Sequence, residues 1–386
     1  MGCADVSGMA GSQSVRVPKL LFVVTEDWYF VSHRLPLAVA AQNAGFDVAV
    51  ATRVGEHDET IRAAGIRLIP FSLSRRRGNP LGEVAALMRL YCRERLDIVH
   101  HVALKPVLYG ALAARLAGVP HVVNAVAGLG WLFTSGGFAT RTVRPVICKL
   151  LAWLLGVSHS RTIVQNPDDF SLLIKAGAPE DRLRLIRGVG VDTEVFTPAL
   201  ESPPDPITVL FSARMLWDKG VREFIEAAKL LTAAGVKARF VLVGDPDPGN
   251  PVSVPEATLR TWHGVHGVEW WGRRDDMPDV FHAAHIACLP SYREGLPKVL
   301  LEAAASGLPI VATAAPGCRE IVRDGENGFL VPVRDAQALA QALRRLIDNA
   351  TLRAKMGGRA REIVLAEFSQ ERVIAETLAV YYELIQ

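Results

Sequence analysis

Residues 291–302 read S-Y-R-E-G-L-P-K-V-L-L-E and directly follow the apolar run Ile286–Pro290. The run predicts a buried strand, after which Gly295 permits a tight turn and Pro297 suits the first turn of a helix. The free N–H groups at the start of such a helix can bind phosphate oxygens, and Lys298 adds a positive charge there. The stretch therefore predicts an α/β fold with an anion-binding turn at the carboxyl end of a strand.

Two carboxylates lie on either side of this turn. Glu294 precedes the predicted helix, and Glu302 lies about a turn and a half inside it. Taken alone, Glu294 is typical of a helix-capping residue and Glu302 of a solvated charge on a helix. Beside a phosphate-binding turn, however, each can accept hydrogen bonds from a pair of neighbouring hydroxyls, as in a sugar or a ribose. The predicted binding turn between them consists of Gly295, Leu296, Pro297 and Lys298.

A second loop, with the sequence S-A-R-M-L-W-D-K-G over residues 212–220, follows another apolar run. Arg214 and Lys219 lie on this loop, ahead of a predicted helix. Two cations beyond a strand end can neutralise a departing diphosphate. An isolated pair with this spacing would be read as an exposed basic loop, so its significance depends on the Glu294 segment.

Short apolar runs alternate with helical patterns along the whole chain, which predicts parallel sheets covered on both faces. In the first half, the predicted strands are Leu20–Val24, Phe46–Thr52, Ile66–Pro70, Asp97–His100, His121–Ala125 and Thr162–Gln165. In the second half, they are Ile207–Ser212, Arg239–Val243, Val268–Trp271, Ile286–Pro290, Ile310–Ala312 and Phe329–Val331. Three closing helices are predicted over Ala336–Asn349, Leu352–Glu367 and Gln370–Ile385.

A proline-rich stretch over residues 196–206 separates the two halves and cannot sustain a helix or a central strand. We therefore predict two Rossmann-like domains joined by this linker. The predicted segments are a tail over 1–17, a first domain over 18–195, the linker over 196–206, a second domain over 207–368 and a final helix over 369–386.

Composition agrees with two globular domains and gives each half a different charge. The chain has 386 residues, of which 50% are apolar and 22% charged, enough to bury two cores. Residues 1–190 carry a net charge of +8 and the remainder −5. On charge alone, the basic half suits an anionic membrane, a diphosphate-bearing acceptor or nucleic acid; the motifs favour the first two, and no nucleic acid partner is expected.

The motifs together resemble the retaining glycosyltransferases of family 4, which have the GT-B fold of two doubly wound domains facing a cleft. Glu294 and Glu302 match that family's E-x₇-E motif, and Arg214 and Lys219 match its Arg…Lys-Gly pair. The resemblance covers residues 19–382. It implies that Glu294 contacts the transferred sugar, Glu302 the ribose, and the two cations the diphosphate.

The resemblance also implies a nucleotide sugar, uridine-linked by analogy with the family, as co-substrate, with no cofactor. Gly244 and Arg273 match loops that approach the phosphate and the base in such enzymes. The final helix is expected to cross back onto the first domain. The first domain is expected to bind the acceptor, and the second the nucleotide sugar.

Candidate acceptor residues lie on loops predicted after the first, fourth and fifth strands, the first of them over Thr25–Arg34, and are weaker signals. They are His33, Arg34, His101, Lys105, Gly128 and Gly130. The H-R-L-P sequence at 33–36 resembles the start of bacterial family members that build surface polysaccharides and lipid-linked oligosaccharides. By that resemblance, Arg34 and Lys105 are candidates for binding a diphosphate on a polyprenyl-linked saccharide, and His101 or His33 for assisting the acceptor hydroxyl. Each histidine is also explained as a packing residue, and each glycine as a plain turn.

Phe138–Leu155 combines basic residues with an apolar, Trp-bearing face, which suits either an interfacial helix or an ordinary core helix. No run is long enough to span a bilayer, so we expect a cytoplasmic protein with peripheral contact at the inner membrane. Five cysteines without a C-x-x-C pair favour reduced thiols. Asp245 and Asp247 resemble a metal-binding D-x-D motif only superficially, and no metal is expected.

These expectations describe a retaining, metal-independent enzyme. It would move a hexose or N-acetylhexosamine to a hydroxyl of a lipid-linked saccharide in cell-surface polysaccharide or glycolipid synthesis. The alternatives are a GT-B-fold epimerase or hydrolase acting on the same donor, and a non-catalytic scaffold.

Overall fold

The computed structural model describes residues 16–74, 78–126, 149–156, 159–201 and 203–386. Within them the chain forms two entirely parallel sheets of seven and six strands, each in a half of its own. This arrangement confirms the predicted two Rossmann-like domains. Residues 196–201 and 203–206, in the expected linker, contain neither helix nor strand.

The first sheet has the order β3-β2-β1-β4-β5-β6-β7. Its strands are β1 (Lys19–Glu26), β2 (Asp47–Arg53), β3 (Arg67–Pro70), β4 (Ile98–Val102), β5 (His121–Val126), β6 (Ser160–Val164) and β7 (Leu183–Leu185). Six of the seven match predicted strands. The sequence analysis missed β7, because a three-residue L-R-L segment is too short to show an apolar run.

The second sheet has the order β10-β9-β8-β11-β12-β13. Its strands are β8 (Ile207–Ser212), β9 (Ala238–Val243), β10 (Val268–Trp270), β11 (Ile286–Leu289), β12 (Ile310–Thr313) and β13 (Gly328–Val331). All six match the predicted runs. Central strands such as β11 and β12 are buried along their whole length, because helices cover both faces.

Helices connect the strands in both halves. In the first half they are α1 (Asp27–His33), α2 (Leu35–Asn43), α3 (Asp58–Ala63), α4 (Pro80–Glu94), α5 (Leu104–Ala117) and α6 (Pro167–Lys175). In the second they are α7 (Val221–Ala233), α8 (Glu256–Trp262), α9 (Met277–His282), α10 (Lys298–Ala305), α11 (Cys318–Ile321), α12 (Ala336–Ile347), α13 (Ala350–Glu367) and α14 (Gln370–Ile385). Residues 149–155 are also helical. The stretch after β1, expected as a loop, is instead the helix α1.

The last helix, α14, packs on the first domain, as expected. Val373, Val380 and Tyr381 are buried in the core beneath β1 and β4. At its end, Glu383 pairs with Arg184 and also accepts a hydrogen bond from Arg161 Nε at 2.9 Å. The helix therefore joins the two halves by a second crossing of the chain.

Strand order reverses direction between β1 and β4 in one sheet and between β8 and β11 in the other. Ligands of doubly wound sheets bind beyond the carboxyl ends of the strands at such reversals. Contacts between loops after β6 and after β11 show that these two edges face each other. The fold thus directs attention to the cleft between the domains.

Candidate functional site

The centre of the site is the Glu294 carboxylate, on the loop between β11 and α10. Lys219 Nζ donates to Glu294 Oε1 at 2.6 Å and to Oε2 at 2.8 Å. Ser291 Oγ donates to Glu294 Oε1 at 2.6 Å. The structure therefore brings together the two predicted loops, 212–220 and 291–302, and fixes the carboxylate with three hydrogen bonds.

Gly220 explains why Lys219 can approach this loop. Its φ is +80°, and a Cβ at this position would lie 2.1 Å from the carbonyl oxygen of Pro290, at the end of β11. Only glycine tolerates both the left-handed backbone and this close contact. The Lys-Gly pair is thus a structural unit, in which the glycine allows the end of the 212–220 loop to approach the backbone directly after β11 and the lysine reaches Glu294.

Arg214 lies on the same loop and binds a different carboxylate. Its Nη1 is 2.7 Å from Asp247 Oδ2, while Asp245 Oδ1 accepts from the backbone N–H of Arg273 at 3.0 Å. Gly244, directly after β9, has a φ of +128° and lets this loop pass close to the backbone just after β8. Both aspartates of the D-x-D pattern therefore contact protein groups, and within the described ranges no cluster of three metal-ligating side chains occurs.

Glu302 is not the solvated helix charge that its position alone would allow. Its side chain is buried and lies 3.1 Å from Lys298 Nζ, one helical turn earlier. Burial raises the pKa of Glu302, and the neighbouring lysine opposes the rise. Both residues belong to α10, so the helix that begins at the binding turn carries a paired cation and carboxylate.

A junction between the domains holds this loop from the other side, and the sequence analysis did not identify it. Asn166 Nδ2, just before α6, donates to the carbonyl oxygen of Gly295 at 2.8 Å. Arg293 pairs with Asp169, which is fully buried, at 2.5 Å. A more exposed pair, Arg319–Asp168, lies beside it. The N-P-D-D sequence at 166–169 predicts a helix start, but it does not predict a contact with the loop that carries Glu294.

Helix α1 of the first domain supplies the opposite wall of the cleft. The rings of Tyr29 and His33 stack with centroids 4.2 Å apart. Electrostatic interaction joins Tyr29 to Arg214 and Lys219, and joins His33 to Lys298. Burial, assisted by the positive charges of Lys298, Arg34 and Arg214, lowers the pKa of His33 to about 3, so the ring is neutral at physiological pH.

Two predicted acceptor residues are placed differently from expectation. His101 is fully buried, and its ring binds Asn124 Oδ1 at 2.8 Å and the Tyr91 hydroxyl at 3.0 Å. Both ring nitrogens have protein partners, which favours the packing interpretation of His101 over a role as proton acceptor for a substrate. Lys105 forms an ion pair with Glu83 at 2.7 Å and a hydrogen bond to the Ser74 carbonyl, so its ammonium group already has two protein partners.

The remaining acceptor candidates divide into two groups. Arg34 is buried and lies with His33 in the wall of a cavity between the domains. Gly128 and Gly130, like residues 138–148 of the proposed interfacial segment, lie outside the described residues.

Comparisons with known proteins agree with this geometry. The chain matches the model described as "Glycosyl transferase 4-like" over residues 19–158 and the model "Glycosyl transferases group 1" over residues 206–349. The putative glycosyltransferase EpsD of Bacillus subtilis is 30% identical over 94% of this chain and 96% of its own length. The N,N'-diacetylbacillosaminyl-diphospho-undecaprenol alpha-1,3-N-acetylgalactosaminyltransferase of Campylobacter jejuni is 29% identical over 91% and 95%.

Solved structures share the architecture at lower identity. HepE of Anabaena, in complex with UDP and glucose, superposes with a TM-score of 0.75 at 20% identity and covers 94% of this chain and 99% of its own. Sucrose-phosphate synthase from Thermosynechococcus elongatus gives a TM-score of 0.78 at 22% identity, covering 95% and 99%. The structural likeness establishes the shared fold. The full-length relative and the two matching models establish the family: this chain belongs to the group 1, family 4-like glycosyltransferases and has their GT-B fold.

Proposed function

We propose that this glycosyltransferase takes a hexose or N-acetylhexosamine from a uridine diphosphate sugar. It attaches the sugar, with retention and without a metal ion, to a hydroxyl of a saccharide carried on a polyprenyl diphosphate. The observation that carries the proposal is the Lys219–Glu294 contact. It sets a cation for phosphate beside a carboxylate for sugar hydroxyls, at the facing ends of two strands.

The chemistry follows from what each group can exchange. Lys219 and Glu294 neutralise each other, and a bound donor gives each of them a new partner. Phosphate oxygens then pair with the lysine, and sugar hydroxyls donate hydrogen bonds to the carboxylate. Arg214, on the same loop, can likewise exchange Asp247 for phosphate. Neutralising the departing diphosphate lowers the barrier to breaking the sugar–phosphate bond.

The proposed transfer balances without another reactant. The bond between the anomeric carbon and the phosphate oxygen breaks, and the nucleoside diphosphate leaves with the electron pair. The acceptor oxygen forms the new bond on the same face of the sugar, and its proton passes to a phosphate oxygen of the leaving group. Glu294 stabilises the positively charged sugar between these events.

The lipid-linked acceptor is supported by the relatives. The Campylobacter jejuni enzyme is named for an undecaprenol diphosphate-linked sugar, and a 29% identical Escherichia coli protein is named UDP-Gal:alpha-D-GlcNAc-diphosphoundecaprenol alpha-1,3-galactosyltransferase. The proposed place of this chain is therefore the assembly of cell-surface polysaccharide on a lipid carrier, at the cytoplasmic face of the membrane.

Membrane contact is proposed at a surface formed by α5 and residues 149–155. Leu116, Leu150 and Trp153 are exposed, and the Arg115 guanidinium lies 4.8 Å from the Trp153 ring centroid. Within the described ranges, no helix combines the length and apolar character needed to cross a bilayer. Trp153→Ser should weaken flotation with anionic liposomes about tenfold. Val265→Ser, at an exposed site in the second domain, is the control, and equal binding by both variants would contradict this surface.

The deciding experiment screens nucleotide sugars for binding and then assays the best donor with polyprenyl-diphosphate sugars. Glu294→Gln should reduce transfer at least about 100-fold, because it removes the charge that stabilises the sugar cation. Glu256→Gln, an exposed ion-pair carboxylate on α8, is the matched control. Transfer unchanged by Glu294→Gln would refute the proposed mechanism.

The competing activities give separate outcomes. A hydrolase or epimerase would consume the donor at full rate without acceptor. A scaffold would turn over no donor at all, and the proposal would then fail as a whole. Product with inverted anomeric configuration would contradict retention alone, and loss of activity in EDTA would contradict metal independence alone.

A further inference from the structure

Arg34, between α1 and α2, is a buried cation with no counter-ion among the residues that the structure describes. Arg34 is 6% exposed, and no carboxylate of the described residues pairs with it. Its Nη1 donates to the His33 carbonyl oxygen at 3.4 Å, while Nε has no hydrogen-bond partner in the described part of the chain. An unpaired buried charge is strongly destabilising, so a residue of this kind points to a ligand that completes it.

The groups around Arg34 are neutral or positive. Tyr29 and Tyr381 are near enough to interact with it electrostatically, and both are neutral phenols. His33 and His100 both interact unfavourably with the guanidinium. The surroundings therefore supply hydrogen-bonding groups but no negative charge.

A second unpartnered nitrogen faces the same space. His100 lies in β4, is buried, and binds the Tyr381 hydroxyl through Nδ1 at 2.6 Å, leaving Nε2 without a partner. When Tyr381 donates to Nδ1, Nε2 carries the ring proton and is a donor. Arg34 and His100 line one cavity together, so two donor-bearing side chains border the same space.

The position of this cavity in the fold is also that of a ligand site. Its wall includes Val126, the last residue of β5, and Gln165, directly after β6. It therefore lies at the carboxyl edge of the first sheet, beside the reversal between β1 and β4, where doubly wound sheets bind ligands. Arg34 also lines a second cavity, with Lys298 of the donor domain.

We infer that Arg34 and His100 bind a phosphoryl group of the acceptor's diphosphate. The inference rests on the proposed function. It assigns one phosphate site to each domain: Arg214 and Lys219 hold the donor diphosphate, and Arg34 holds that of the acceptor. A guanidinium suits this role because it presents several donors to phosphate oxygens at once.

The test compares three acceptors with the same sugar, linked to a polyprenyl diphosphate, a polyprenyl monophosphate or a neutral alkyl chain. Wild type should prefer the diphosphate. Arg34→Met should raise the KM for the diphosphate acceptor about 10- to 100-fold and abolish the preference for the diphosphate, because the loss of a hydrogen bond to a charged group weakens binding by about that factor. The donor KM should change less than threefold. Arg34→Lys, which keeps the charge, should lose only part of the preference.

Stability separates this role from a structural one. Arg34→Met should leave the unfolding midpoint unchanged or raise it, because it replaces an unpaired buried charge with an apolar side chain. A lower midpoint with unchanged acceptor preference would overturn the inference. An increase in the donor KM alone would assign the phosphate to the donor and would overturn it equally.

A binding measurement does not depend on turnover. With UDP saturating, inorganic pyrophosphate should raise the unfolding midpoint of wild type but not that of Arg34→Met. If pyrophosphate has no effect on wild type, the anion site is refuted. If pyrophosphate binds through Arg34 but no donor supports transfer to any acceptor, the proposed function fails while the anion site remains.

Discussion

Replacing Asp169 with asparagine should reduce kcat/KM for sugar transfer about 100-fold, although Asp169 belongs to the first domain. Its carboxylate is fully buried and pairs with Arg293, the residue before Glu294. Removing one partner of a buried ion pair costs about 3–5 kcal/mol, because the other charge is left without compensation. The lower end of that range corresponds to about a 100-fold change.

The cost should appear in catalysis because the pair spans the two domains. Asp169 also accepts from Asn166 Nδ2 at 3.0 Å, and the same amide holds the Gly295 carbonyl. Loss of the carboxylate therefore disturbs two of the contacts that hold the Glu294 loop. Initial rates with the best donor and acceptor give kcat/KM directly, and circular dichroism confirms that the variant is folded.

The neighbouring pair supplies a matched control. Asp168 and Arg319 also join the two domains, at 3.0 Å, but their side chains are 41% and 44% exposed. Exposed pairs contribute at most about 1 kcal/mol, so Asp168→Asn should reduce the rate less than about fivefold. Equal losses from Asp168→Asn and Asp169→Asn would show that any junction charge matters, contrary to the reasoning.

A double-mutant cycle tests the coupling itself. Arg293→Met combined with Asp169→Asn removes both charges, so the double variant should be less impaired than the sum of the two single effects. Strictly additive losses would mean that the two residues act separately, and the proposed role of the junction in positioning Glu294 would be refuted.

Two further predictions concern stability. Gly220→Ala should lower the free energy of unfolding by at least about 2 kcal/mol, because it combines a left-handed backbone with a clash at Pro290. The control Gly358→Ala, in open space on α13, should raise the free energy of unfolding by about 0.5–1 kcal/mol. Equal effects of the two substitutions in urea titrations would contradict the Gly220–Pro290 contact. His33→Gln should reduce acid sensitivity: because the folded pKa of about 3 lies below the unfolded value, stability is lost as the pH falls below 6.5, by about 2 kcal/mol between pH 7 and 5. His266→Asn, at an exposed site, should leave that loss unchanged.

The sequence predicted the two loops that meet at Glu294 because the residues of each loop are local in the chain. Glu294 lies a few residues after a buried strand, and Lys219 and Gly220 follow another strand. The apolar runs and the turn-forming residues therefore locate them before any tertiary contact is known. The parallel-sheet rule then brings the two strand ends together. The observed bond between Lys219 and Glu294 is the tertiary consequence of two local patterns.

The first domain was harder because burial decides the role of its residues there, and a sequence does not show burial at single positions. His100 and His101 are adjacent on β4, and their side chains point to opposite faces of the sheet. On one face, the His101 ring binds Asn124 and Tyr91. On the other face, His100 lines a cavity together with Arg34.

Charge pairing separates the two basic candidates in the same way. Arg34 and Lys105 looked equivalent as cations after strands, yet Lys105 has Glu83 as a partner and Arg34 has none among the described carboxylates. A phosphate bound at Lys105 would have to displace Glu83, whereas a phosphate bound at Arg34 would break no ion pair among the described residues. For this reason Arg34, and not Lys105, is the first-domain residue whose substitution should separate acceptor binding from donor binding.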